Sequence, residues 1–169
     1  MTWLEIAKKG TDFMDFSELI KGLAEKMGIG GEIEVDDEQR CFLEFDGMGV
    51  VIQGVDAAET VALLSPVGMP PPEDPAQLYK ALLEANYLFQ GTSGATLSVN
   101  PEDGGVMLCR SLDGKALDAD GLLVALDAFL NTLVAWRSFV GEYRAKPAET
   151  ETPDDVAALP GLSGDFICA

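Results

Sequence analysis

The sequence contains no histidine, which removes the commonest general base and the commonest metal ligand of chemistry near neutral pH. Basic residues are scarce as well: Lys and Arg number 11 against 29 Asp and Glu, a formal charge of −18. Such a chain repels nucleic acid and anionic membrane surfaces at long range, so neither is an expected partner. Cysteine is limited to Cys41, Cys109 and Cys168, an odd and widely spaced set without a CxxC pair. Neither a disulfide framework nor a zinc site is indicated. Cys41 and Cys109 lie in apolar, strand-like runs, the usual setting of buried structural thiols. No uninterrupted apolar run reaches the ~18 residues of a membrane span, and the opening MTWLEIAKKG lacks a signal-peptide core. The expected setting is the reducing cytoplasm, without membrane insertion. A G-x-S-x-G elbow is missing too. With no histidine to activate a Ser or Cys, the chain is not expected to be an enzyme.

Apolar residues make up 47% of the 169, enough for one domain with a core. The stretch EANYLFQGTSGATLSV (residues 84–99) poses the sharpest local question, because the GTSG at Gly91–Gly94 resembles a phosphate-binding loop. Such a loop follows a strand, opens a helix and is completed by a Lys. Here Leu78, Leu82, Leu83 and Ala85 recur at helical spacing before the glycines, Leu97 and Val99 alternate after them, and no Lys follows until Lys115. The order is inverted, which predicts a helix-to-strand turn.

Residues 1–14 read as an arm. Asp15 and Glu18 have capping-box spacing, and Phe16, Leu19, Ile20, Leu23 and Met27 then place one broad apolar face on a helix ending at Gly28. The period next changes to two. Ile33 and Val35 alternate with acids, Asp36–Gln39 makes a turn, and Cys41, Leu43 and Phe45 alternate before Asp46-Gly47. Runs at 50–55 and 60–65 complete a predicted antiparallel meander, stopped by Pro66 and the triple Pro70–Pro72. Asp74-Pro75 supplies N-cap and N1 chemistry for a second helix through about Tyr87. A hairpin is predicted from 95–100 and 106–112 across PEDGG.

The longest predicted helix starts near Asp118 or Asp120. Leu122, Leu126, Phe129, Leu133, Trp136, Val140 and Tyr143 step by alternating fours and threes, a seam best explained by packing across the sheet. Residues 145–169 form an acidic, Pro-containing tail that ends in the apolar Leu159, Leu162, Phe166 and Ile167. The acid pairs Asp36-Asp37, Glu102-Asp103 and Asp154-Asp155 fall in predicted turns or the tail. They lack the alternating acids, Gly and closing Glu of a calcium loop, so no metal and no cofactor is expected. The fold class is α+β: helix, meander, helix, hairpin, helix, with one sheet in a single domain over 15–144.

The stretch LYKALLEANYLFQGTSGATLSVNPEDGGVML (residues 78–108), followed by LDADGLLVALDAFLNTLVAWR (117–137), resembles the class I type III secretion chaperones, the Tir-chaperone family. CFLEFDGMGVVIQ (41–53) and LLSPVG (63–68) fit the same pattern. The resemblance implies a virulence-associated homodimer that binds the N-terminal region of a secreted effector in extended form, without ATP. On that reading the apolar face of the first helix, Phe16, Leu19, Ile20 and Leu23, is either core or effector contact, since a helical stripe cannot separate the two. The dimer interface is expected on the second helix and the hairpin, at Leu78, Leu82, Leu97, Val99, Val106 and Leu108, with Met107 and Cys109 on the other face. The arm and the tail lie outside the resemblance. A tail docked on the effector surface as a pseudo-ligand is one expectation for Leu159 to Ile167. The alternative for the whole chain is an adaptor or structural module of the same α+β shape.

Overall fold

The computed structural model describes residues 15–145; the arm, and the tail with its proposed docking, lie outside the described residues. Helix α1 (Phe16–Met27) begins where the Asp15 carboxylate accepts the Ser17 amide at 2.9 Å, satisfying one of the helix's orphan donors. It ends at Gly28, whose φ of 69° is the left-handed cap that glycine adopts without a Cβ penalty. Strand β1 (Arg40–Phe45) turns through Asp46-Gly47, both at positive φ, into β2 (Met48–Val55). This is the two-residue turn that matches strand twist. A 3₁₀ turn at Asp56–Ala58 leads to β3 (Thr60–Gly68). Helix α2 (Ala76–Asn86) and a second 3₁₀ turn (Tyr87–Phe89) precede β4 (Thr96–Val99), β5 (Val106–Asp113) and α3 (Ala119–Ala145).

The strands make a five-stranded sheet in the order β1-β2-β3-β5-β4, every neighbouring pair antiparallel. The α+β class and element order therefore match the sequence reading. Three details differ. Ile33 and Val35 form no strand: the segment before Asp36 carries no ladder, because the Asp36 carboxylate ties the backbone into a turn by accepting the Glu38 and Arg40 amides. Pro66 does not stop β3, which runs to Gly68; it sits at a register shift opposite Met107, where a missing N–H is tolerated. Asp74 does not cap α2: its φ is 45° and the helix has no side-chain cap bond.

One face of the sheet is covered. Val50, Ile52, Val61, Leu63, Leu97 and Leu108 point inward to meet α1, α2 and the α3 seam. Of that seam, Leu122, Leu126, Phe129, Leu133 and Val140 are buried, with Trp136 and Tyr143 packed against them. Gly22 fits where α1 meets α3, since a Cβ there would lie 2.9 Å from the Ala119 Cβ. Lys26 bridges to Asp120 at 2.7 Å across the same junction. By length and composition alone Ala119–Arg144 could cross a membrane, but its apolar seam is already taken up by the sheet.

Candidate interaction site

No cluster of three or more His, Cys, Asp or Glu side chains that could hold a metal occurs among the described residues. Burial pushes the Cys41 thiol up to about 11, far from nucleophilic character near neutral pH. The GTSG turn is occupied by its own backbone: the Gly91 amide donates to Ala85 O, Thr92 and Ser93 to Phe89 O, and Ala95 to Thr92 O. Those amides are spent within the turn. Trp136 adds an Nε1–H bond of 2.8 Å to Gly91 O, pinning the turn to α3.

What the fold leaves open is at its sheet edges and on one helix end. A sheet edge presents unpaired N–H and C=O groups that recruit another strand unless they are blocked. At the β4 edge, Asn86 blocks Leu97: Oδ1 accepts the Leu97 amide at 2.9 Å and Nδ2 donates to the Leu97 carbonyl at 3.0 Å. At the β1 edge, Asp36 does the same for Arg40, its amide donating to Arg40 O and its carboxylate accepting Arg40 N, both at 2.9 Å. The Asp36 carboxyl is held below the usual carboxylate range by that Arg40 amide bond first, with the Arg40 guanidinium and the Glu38 amide adding to it.

Beyond Arg40 the β1 edge is open among the described residues. Gly54 N donates to Gln39 O, so the antiparallel alternation turns the main-chain groups of Cys41 and Leu43 toward β2 and those of Phe42 and Glu44 outward. The Phe42 side chain, 60% exposed, stands on the face turned away from the described helices, over Gly49, where a Cβ would lie 2.7 Å from the ring. A groove of about 530 Å³ separates α1 from residues 29–35, lined by Lys21, Ala24, Glu25, Ile29, Glu32 and Ile33, among others. At the opposite end of the sheet, Leu83, Tyr87, Leu88 and Phe89 are all more than half exposed. Leu88 and Phe89 hold φ of 52° and 56°, a left-handed pair that costs non-glycine residues roughly 1–2 kcal/mol each.

The structure therefore sorts the residues singled out from the sequence. Phe16, Leu19, Ile20 and Leu23 are buried in the core. A contact with a partner at those side chains requires α1 to lift from the sheet. Leu78, Leu82, Leu97, Val106 and Leu108 are core as well; only Val99 of that set is exposed. The elements carry an open surface, but on their other faces, because a shift of one residue along a strand exchanges its two sides. Sequence reasoning missed Asn86 and Asp36 as edge blockers, and it missed Phe42. The signal for Phe42 was its place between the inward Cys41 and Leu43.

Known proteins share this arrangement. A chain of the HopA1–SchA chaperone–effector complex superposes with a TM-score of 0.63 at 18% identity, covering 76% of this chain and 95% of that one. The Yersinia pestis type III secretion chaperone SycH, solved with a stable fragment of YscM2, gives 0.58 at 20% identity, covering 72% and 99%. A Chlamydia pneumoniae protein is 28% identical over 125 residues, which span 73% of this chain and 95% of that protein. The family model described as Tir chaperone protein (CesT) matches residues 18–137, and the chain belongs to that family.

Proposed function

We propose that the protein is a cytoplasmic, ATP-independent type III secretion chaperone that holds the N-terminal region of a secreted effector in extended form. The observation that carries this reading is the open β1 edge. An extended segment laid against Phe42 and Glu44 gains main-chain bonds without folding, and specificity comes from side chains entering pockets on either side. The groove between α1 and residues 29–35, a segment that leads through the Asp36–Arg40 bonds into the start of β1, offers such a pocket. The effector contact assigned to Phe16, Leu19, Ile20 and Leu23 accordingly moves to the other flank of α1, where Lys21 and Glu25 are exposed, while the four apolar residues support the wall from behind.

The protein acts as a homodimer. Its interface is the exposed side of α2 and the turn after it, Leu83, Tyr87, Leu88 and Phe89, continuing to Val99. An apolar cluster of this kind on so acidic a monomer is the expected mark of a buried contact.

Affinity purification from the native host, without added nucleotide, tests the reading. The account expects a dimer carrying a partner protein of which a short segment near its N-terminus resists protease while the rest is cleaved. A monomer of 18.0 kDa that retains no protected segment would favour the adaptor reading.

A further inference from the structure

The groove between α1 and residues 29–35 has a charge pattern that specifies its occupant. Its floor is apolar, from Ala24, Ile29, Ile33 and Val35, while Glu25 and Glu32 stand against the single base Lys21 among the lining residues. Glu34 and Asp37, within and just after the same segment, are exposed, and no ion pair among the described residues neutralises them, or Glu25 and Glu32. Arg40, at the start of β1, is already committed to Asp36 and Glu38. An acidic or purely apolar segment laid here would leave these carboxylates uncompensated or crowd them with like charge.

The wall toward solvent is also built to accommodate a chain. Residues 32–35 belong to no strand ladder, and Cβ atoms added at Gly30 and Gly31 would meet nothing within 4 Å.

Resting on the chaperone reading above, we propose that the groove between α1 and residues 29–35 selects an extended segment in which apolar residues alternate with Lys or Arg. The alternation places apolar side chains on the Ile33–Val35 floor and cations outward beside Glu32 and Glu34. Electrostatics then supplies discrimination and encounter rate, while apolar burial supplies the bulk of the affinity.

Calorimetric titration with synthetic peptides of one length decides the matter: alternating Val/Lys, alternating Val/Glu, and a Val/Lys peptide of the same composition with the lysines gathered in one block. The alternating Val/Lys peptide should bind best, more weakly as salt is added. Glu32→Gln and Glu34→Gln should each weaken it by roughly two- to fivefold, the range of an exposed ion pair. Equal binding of the Val/Glu peptide, equal binding of the blocked Val/Lys peptide, an unchanged affinity in both Gln variants, or no binding of any peptide would each overturn the proposal. A chain that protects a partner segment in the purification above yet prefers the acidic peptide would keep the chaperone reading and lose this one.

Discussion

The carboxamide of Asn86 holds both main-chain groups of Leu97, accepting its amide at 2.9 Å and donating to its carbonyl at 3.0 Å. One side chain thus stands where a sixth strand would pair, and it also fixes the end of α2 to the outer strand. Asn86→Ala should destabilise the fold by about 1–3 kcal/mol, because it leaves two part-buried main-chain groups unsatisfied. It should also make the protein self-associate at high concentration through the opened edge. Urea unfolding and light scattering on the same variant measure the two effects; unchanged stability would show that Asn86 contributes no net bond.

The two faces of the helical elements separate by mutation. Leu23 is 0% exposed, so Leu23→Ala should cost about 2–5 kcal/mol through lost burial and a residual cavity. Leu83, 71% exposed, should behave oppositely. Leu83→Ser combined with Tyr87→Ser should lower the sedimentation mass toward that of the monomer while leaving the secondary-structure signal intact. Retention of the dimer by this double variant would remove the α2 surface as the interface.

Two glycines provide a steric contrast. A Cβ at Gly91 would fall 2.8 Å from the Ala85 Cβ and 3.0 Å from its Cα. Gly91→Ala must therefore displace backbone and should destabilise by about 1–3 kcal/mol. Gly30→Ala meets no atom within 4 Å and should be neutral or stabilising by up to about 1 kcal/mol, through a less flexible unfolded chain. Thermal unfolding of the pair checks the prediction; equal midpoints would contradict it.

The Asp36 turn gives a pH signature. Its carboxyl pKa is lowered in the folded chain from an ordinary 3.8, chiefly by the Arg40 amide bond. The folded form therefore binds that proton less readily than the unfolded form. Its stabilising contribution is present above pH 3.8 and is lost as pH falls through the depressed folded value. The stability gap between the wild type and Asp36→Ala should narrow on acidification below that point. A gap independent of pH would show that the carboxylate's charge plays no part.

Much of this architecture is legible in the sequence because local chemistry and long-range packing agree. Asp15 and Gly28 mark α1, Asp46-Gly47 marks a hairpin, and the Leu122 to Tyr143 spacing marks the core helix. Prediction fails where two environments share one pattern. Ile33 and Val35 alternate with acids as a strand does, but the decisive factor is the Asp36 carboxylate claiming two backbone amides. The β4–β5 hairpin is apolar enough on both sides that alternation alone cannot say which side is core. Val106 and Leu108 turn inward while Met107 and Cys109 stay half-buried on the outer face. Phe42 is legible only in part: its place between Cys41 and Leu43 puts it on the opposite face of β1, but only the sheet shows that this face is turned away from the described helices.

The measurement closest to the central claim is amide hydrogen exchange at β1, taken on the purified complex and on the free protein. With the partner segment bound, the outward amides of Phe42 and Glu44 should become protected while that of Leu97, already held by Asn86, changes little. Unchanged exchange at Phe42 and Glu44 in a complex that still protects the partner segment from protease would contradict binding at this edge.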